Sequence, residues 1–169
     1  MAIHLTTEEI LARAGECDCL KVAAHPYGYS VINRGMLKCV DKHLLPRELP
    51  GSLDAIEVIC GGMTRALNQR AIAFAEREGC GITGGSDAHC LAAVGSVVTC
   101  CHSSTTEEFL RDIQNQHNCV AGTGISSFTK GVTACIIAGK YVPYTIPSLV
   151  IHYEQNVVRF RKFVCRWRR

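Results

Sequence analysis

The chain has no Cys-x-x-Cys pair, no G-x-G-x-x-G stretch, no basic N-terminal region leading into an apolar run, and no uninterrupted apolar segment of about twenty residues. Each absence removes a class. A dinucleotide-binding domain needs the glycine fingerprint, and Gly61-Gly62 lacks its spacing. The missing leader pattern leads to the expectation of a cytoplasmic protein. The apolar stretch from Val132 to Val150 is interrupted by Lys140, Pro143 and Pro147, so it is read as a helix or two packed against the main domain, with no membrane span.

Cysteine is abundant, yet the eleven are odd in number and scattered, which fits neither a disulfide framework nor a zinc ribbon. Cys17-x-Cys19 and Cys100-Cys101-His102 are the close groupings. The expectation is reduced, mostly buried thiols acting as small apolar residues. With 169 residues, 47% hydrophobic and 20% charged, the chain suits a single domain with a real core and carries no sign of disorder.

Charge is unevenly placed. Arg159, Arg161, Lys162, Arg166, Arg168 and Arg169 give the tail six positive charges and no acid, so removing them from the net +3 leaves residues 1–158 at −3. Such an end, interleaved with Phe160, Phe163 and Trp167, can contact a nucleic-acid backbone or an anionic surface. The reading preferred here is a C-terminal helix with its charges in water.

In chain order, Thr6-x-x-Glu9 is a capping box that predicts a helix over residues 5–16. A buried strand then ends at His25, where Pro26 should hold His25 in extended backbone. Residues 37–45 form a candidate helix in an irregular region, and Tyr27, Arg34 and His43 are candidate substrate contacts there, set against a plain surface excursion. A strand over 53–59 carries Glu57, a helix over 64–78 presents Leu67, Ala71, Phe74 and Ala75, and Gly79 should cap it in the left-handed region. Strand 81–84 completes a βαβ unit. Further on, a second apolar run covers Val94 to Thr99, Thr105-x-x-Glu108 starts a helix with Phe109, Leu110 and Ile113 inward, and a short strand lies near 119–121.

The chemistry-bearing stretch is Gly84-Gly85-Ser86-Asp87-Ala88-His89. Residues two apart in extended backbone project to one side, so Asp87 and His89 can meet at one point as metal ligands. His25, at the end of an earlier strand, can join them at one rim of a parallel barrel. A solvated turn is the plainer alternative. Glu57 needs a partner if buried, and it either orients a histidine ligand or makes a structural hydrogen bond. Ser86 either contacts a phosphate oxygen or forms the turn.

Taken together, Val22-Ala23-Ala24-His25-Pro26-Tyr27, Leu53-Asp54-Ala55-Ile56-Glu57-Val58, Asn68, Gly84-Gly85-Ser86-Asp87-Ala88-His89, Val94-Gly95 and Thr99 resemble the C-terminal half of the PHP (polymerase and histidinol phosphatase) family, over about residues 20–100. The resemblance implies an α/β fold, a partial distorted (β/α)7 TIM-like barrel over residues 1–122, with a helical extension and basic tail over 123–169. It also implies metal-dependent phosphoesterase chemistry with up to three divalent ions. His25 matches the family's third-motif metal ligand, and Asp87 and His89 match its fourth-motif ligands. The family's opening His-x-His motif has no counterpart here, so the chain reads as a PHP protein without its first third or more.

These implications set the functional expectations. A carboxylate with two imidazoles suits zinc, manganese or iron better than calcium. The substrate would be a small phosphorylated compound, with the remaining ligands supplied by a missing N-terminal segment or a partner chain. A half-barrel leaves strand edges and apolar surface bare, which predicts a homodimer or aggregation. The alternatives are an inactive PHP remnant serving as a binding or regulatory module, and a nucleic-acid-associated protein acting through its basic tail.

Overall fold

A computed structural model of the chain describes residues 5–28 and 35–167. Arg34 and the side chains of the basic tail lie outside the described residues. The chain divides into two compact units, Met1–Ser127 and Phe128–Arg169.

In the first unit, helix α1 (Thr7–Gly15) starts where the capping box places it. Thr6 Oγ1 accepts from the Glu9 N–H, and Glu9 Oε2 accepts from the Thr6 N–H. Two donors of the first turn are thereby satisfied. At the other end Cys17 and Cys19 turn their thiols back on the helix, to the carbonyls of Arg13 and Ala14 at 3.5 and 3.3 Å. They act as C-terminal caps. The cysteines as a set are not mostly buried: among those described, Cys39 and Cys60 are buried, while Cys17, Cys19, Cys90, Cys119 and Cys135 are exposed.

Strand β1 is only Val22–Ala23, and helix α2 covers Met36–Asp41, so both are shorter than the sequence predicts. Strand β2 (Ala55–Cys60) lies between β1 and β3 (Gly81–Gly85), and both pairings are parallel. Ala55, Ile56, Val58 and Cys60 are buried, as expected for a central parallel strand covered on both faces. The register of β2 and β3 shifts between Glu57 and Ile59, which brings Ile59 opposite Gly84 and Cys60 opposite Gly85.

Helix α3 (Arg65–Glu78) ends at Gly79 with φ 63°, a left-handed cap that costs glycine little. Its predicted face is the observed one: Ala71, Phe74 and Ala75 are buried, and Leu67 packs on the core. That core joins Ala23, Tyr27, Leu37, Leu53, Ile56, Ala71 and Phe74. Tyr27 is therefore a core residue with the Arg70 guanidinium 4.3 Å from its ring centroid, not a rim contact. Burial raises its phenol pKa, and the nearby Asp41 carboxylate adds to this.

Strands β4 (Val97–Cys100) and β5 (Cys119–Gly122) form a separate antiparallel pair, joined by helix α4 (Thr106–Gln114). Ile113 of α4 is buried, whereas Leu110 is exposed, contrary to its predicted inward position. The fold is thus mixed α/β, and the described strands do not close into a barrel. A two-residue first strand and an antiparallel last pair are the local reasons.

The described residues of the second unit lie in one helix, α5 (Ser127–Trp167), which runs through Pro143 and Pro147, the single-helix form of the helix or two expected from the sequence. By length and composition its stretch Gly131–Ile151, of mean hydropathy 1.4, is sufficient to cross a membrane. The interruptions at Lys140, Pro143 and Pro147 had pointed the other way.

Candidate functional site

The candidate residues gather at the C-terminal ends of the parallel strands, where βα connections of such sheets carry side chains away from the core. Two residues past β1, His25 opens a turn in which its carbonyl accepts from the Gly28 N–H at 2.7 Å. Pro26 takes the second position of that turn, which its fixed φ suits. The expectation of extended backbone at His25 fails, because its φ is 33°. The His25 N–H instead points at the Glu57 carboxylate, which accepts it. A positive φ at a non-glycine residue costs on the order of 1–3 kcal/mol and persists only where its surroundings hold it there. The charge-assisted bond to Glu57 is one such restraint.

Glu57 stands on β2 and is half-buried. Its bond to His25 is to the main-chain N–H, a structural hydrogen bond that holds the backbone of that residue. Room for it comes from Gly85, where a Cβ would lie 2.7 Å from Glu57 Oε1. Burial raises the Glu57 pKa above its ordinary value of 4.5; the hydrogen bond from His25, the His25 charge and a bond with Cys60 work against that rise. The folded protein therefore binds this proton more tightly than the unfolded chain does. The associated stability is full below the unfolded value near 4.5 and is lost as pH rises through the folded pKa. Glu57→Gln should remove that slope, read as urea midpoints across pH 4 to about 7. An unchanged pH profile in the variant would show that Glu57 is not responsible.

Asp87, two residues past β3, has φ 46°. It and His89 thus meet through a turn and not along an extended segment: His89 Nε2 is 3.7 Å from Asp87 Oδ1, an ion pair when the imidazole is protonated. The other carboxylate oxygen, Oδ2, accepts from the Cys60 thiol at 3.6 Å. Cys60 is therefore in contact with both carboxylates, Glu57 and Asp87. Sequence reasoning missed it. The available signal was its place at the end of β2, just before Gly61-Gly62. Asn68, buried on α3, fixes that strand end: its Oδ1 accepts from the Cys60 N–H at 3.2 Å and its Nδ2 donates to the Cys60 carbonyl at 3.0 Å.

Thr99 of β4 secures the approach to Asp87. Its hydroxyl accepts from the Gly84 N–H at 2.9 Å and donates to the Gly84 carbonyl at 3.0 Å. Ser86, between Gly85 and Asp87, is half-buried. His43 is exposed at the end of α2, with φ 56° and its N–H on the Val40 carbonyl, which matches a surface excursion.

The three predicted ligands are therefore brought to one end of one sheet, but as two pairs: Asp87 with His89, and His25 with Glu57. Among the described residues, no three His, Cys, Asp or Glu side chains form a group placed to hold a metal ion. The donor chemistry nevertheless fits a divalent ion at the Asp87–His89 pair, a hard oxygen beside a borderline nitrogen.

Residues 65–117, about a third of the chain, match the family model described as PHP-associated, PHP_C. The match runs from the start of α3 past the end of α4 and includes Asp87 and His89, and it supports the relationship to the PHP family. No curated protein and no solved structure matches the chain.

Proposed function

We propose that this chain is the C-terminal portion of a PHP-type, metal-dependent phosphoesterase, in which the parallel strands β1–β3 are part of a distorted barrel. One observation carries the reading: Asp87 and His89 stand 3.7 Å apart at the C-terminal end of a parallel strand, within a family match to PHP-associated sequences. Asp87 and His89 would hold a divalent ion such as zinc, manganese or iron, with His25 as a further ligand. Such an ion, when bound, supplies hydroxide from water at neutral pH and offsets charge on phosphoryl oxygens.

The chain's own residues do the rest. Cys60 donates to Asp87 Oδ2 and so fixes the rotation of the carboxylate, leaving Oδ1 towards His89. Glu57 fixes the His25 backbone, and Ser86, next to Asp87, would contact a phosphate oxygen. Small phosphorylated compounds are the substrate class, the remaining ligands come from residues outside this chain, and the setting is cytoplasmic.

A second reading, a non-catalytic module, is favoured by the lack of a three-ligand group among the described residues. Elemental mass spectrometry of the purified, dialysed chain separates the two. The proposal expects at least one tightly held ion per chain, lost in Asp87→Ala and weakened by at least about tenfold in His25→Ala. No ion in the parent chain, or an ion that survives Asp87→Ala, would leave the module reading in its place.

A further inference from the structure

We propose that Cys100 and Cys119 are a disulfide-forming pair, a site of reversible thiol oxidation. They are direct partners at the end of the antiparallel β4–β5 ladder. Residues opposed in such a ladder have Cα atoms about 4.5–5.5 Å apart and side chains on the same face. A disulfide asks for about 4.4–6.8 Å between Cα atoms, which such a pair meets, and about 3.5–4.5 Å between Cβ atoms, which opposed residues at about 4.5–5.5 Å reach by a small local adjustment of the strand ends. Both are free thiols; Cys119 is exposed and Cys100 half-buried. Attack from outside therefore begins at Cys119, and Cys100 is the resolving partner.

The oxidant is a small-molecule disulfide, RSSR. The Cys119 thiolate attacks one of its sulfurs, the S–S bond breaks, and the departing thiolate takes up a proton as RSH. The Cys100 thiolate then attacks Cys119 Sγ of the mixed disulfide and releases the second RSH. Two protein thiols have been oxidised by two electrons and one RSSR reduced to two RSH. A dithiol reductant reverses both steps.

The bridge has two structural effects. It closes the segment that contains α4, whose Ile113 packs in the interior, and so restrains the unfolded chain. It also anchors β4 one residue beyond Thr99, the side chain that holds Gly84 through both its N–H and its carbonyl. The segment leading to Asp87 is thereby tied to the redox state of a surface strand pair.

Cys101 is the control, because it is adjacent in sequence and interacts with both thiols. The full chain would be incubated in an oxidised glutathione buffer, its remaining thiols alkylated, and its peptides mapped. The expected result is a cross-link between the peptides holding Cys100 and Cys119, abolished by Cys100→Ser and by Cys119→Ser and kept in Cys101→Ser. The thermal midpoint of the parent chain should rise on the order of 10 °C on oxidation and fall back on reduction. A cross-link that persists in Cys100→Ser, a glutathione adduct that remains on Cys119, or alkylation of both residues after oxidation would each overturn the proposal. Fragmentation of the cross-linked peptide between Cys100 and Cys101 assigns the bonded residue in the parent chain, which decides even where a serine variant does not fold.

Discussion

Asn68→Leu should lower the stability of the folded chain by about 1–3 kcal/mol, although leucine nearly matches asparagine in shape. The amide is buried on α3 and bridges the N–H and carbonyl of Cys60, at the last position of the central strand. Leucine removes an acceptor and a donor together, at a depth where water cannot stand in for either. A buried polar group that loses its partner costs roughly 1–3 kcal/mol, and that cost falls on the Cys60 N–H, since the Cys60 carbonyl still accepts from the Met63 N–H at 3.1 Å. Urea denaturation monitored by circular dichroism reads the effect as a lower midpoint. A midpoint within error of the parent would mean that the strand end relaxes to find other partners. The variant should also weaken any metal binding, since Cys60 supports Asp87.

Gly84→Val is expected to be at least as severe, at the upper end of or above the roughly 1–3 kcal/mol typical of overpacking. Even the first added carbon would lie 2.2 Å from Val120 Cγ1 and 2.9 Å from Val97 Cγ1. Both neighbours are β-branched and have few rotamers to retreat into. Valine adds two more carbons at the same point, and the strand pair β4–β5 would have to move off β3. That motion would break the double hydrogen bond from Thr99. Gly84→Ala should show a smaller loss in the same assay. Parent-like stability for the valine variant would show that β4–β5 accommodates the added volume by a rigid shift.

Local rules of the chain predicted its local structure well. Thr6 and Glu9 specify the start of α1, Gly79 specifies the end of α3, and Ala71, Phe74 and Ala75 identify the buried face, because each depends on neighbours within a turn or two. Asp87 and His89, expected from their spacing to meet along extended backbone, come together instead through a positive φ at Asp87. What depended on distant partners was not legible. The backbone of His25 is decided by a glutamate on another strand, against the local preference set by Pro26. Cys60 belongs to the site only because the ends of β2 and β3 adjoin. The antiparallel pairing of β4 with β5 runs across a helix, and no short-range pattern announces it. The PHP resemblance supplied the barrel expectation, and β1, only two residues long, fell short of what it required.

Three of the five residues of β3 are glycine, and the strand ends at the candidate ligands. Glycine contributes no buried side chain and loses the most backbone freedom on ordering, so the order of this strand is largely borrowed from its neighbours. On the timescale of amide hydrogen exchange, Gly84 and the residues leading to Asp87 should open in step with β4 and not with α3. A chain built this way can keep its core closed while the segment bearing Asp87 and His89 opens and closes as a separate cooperative unit.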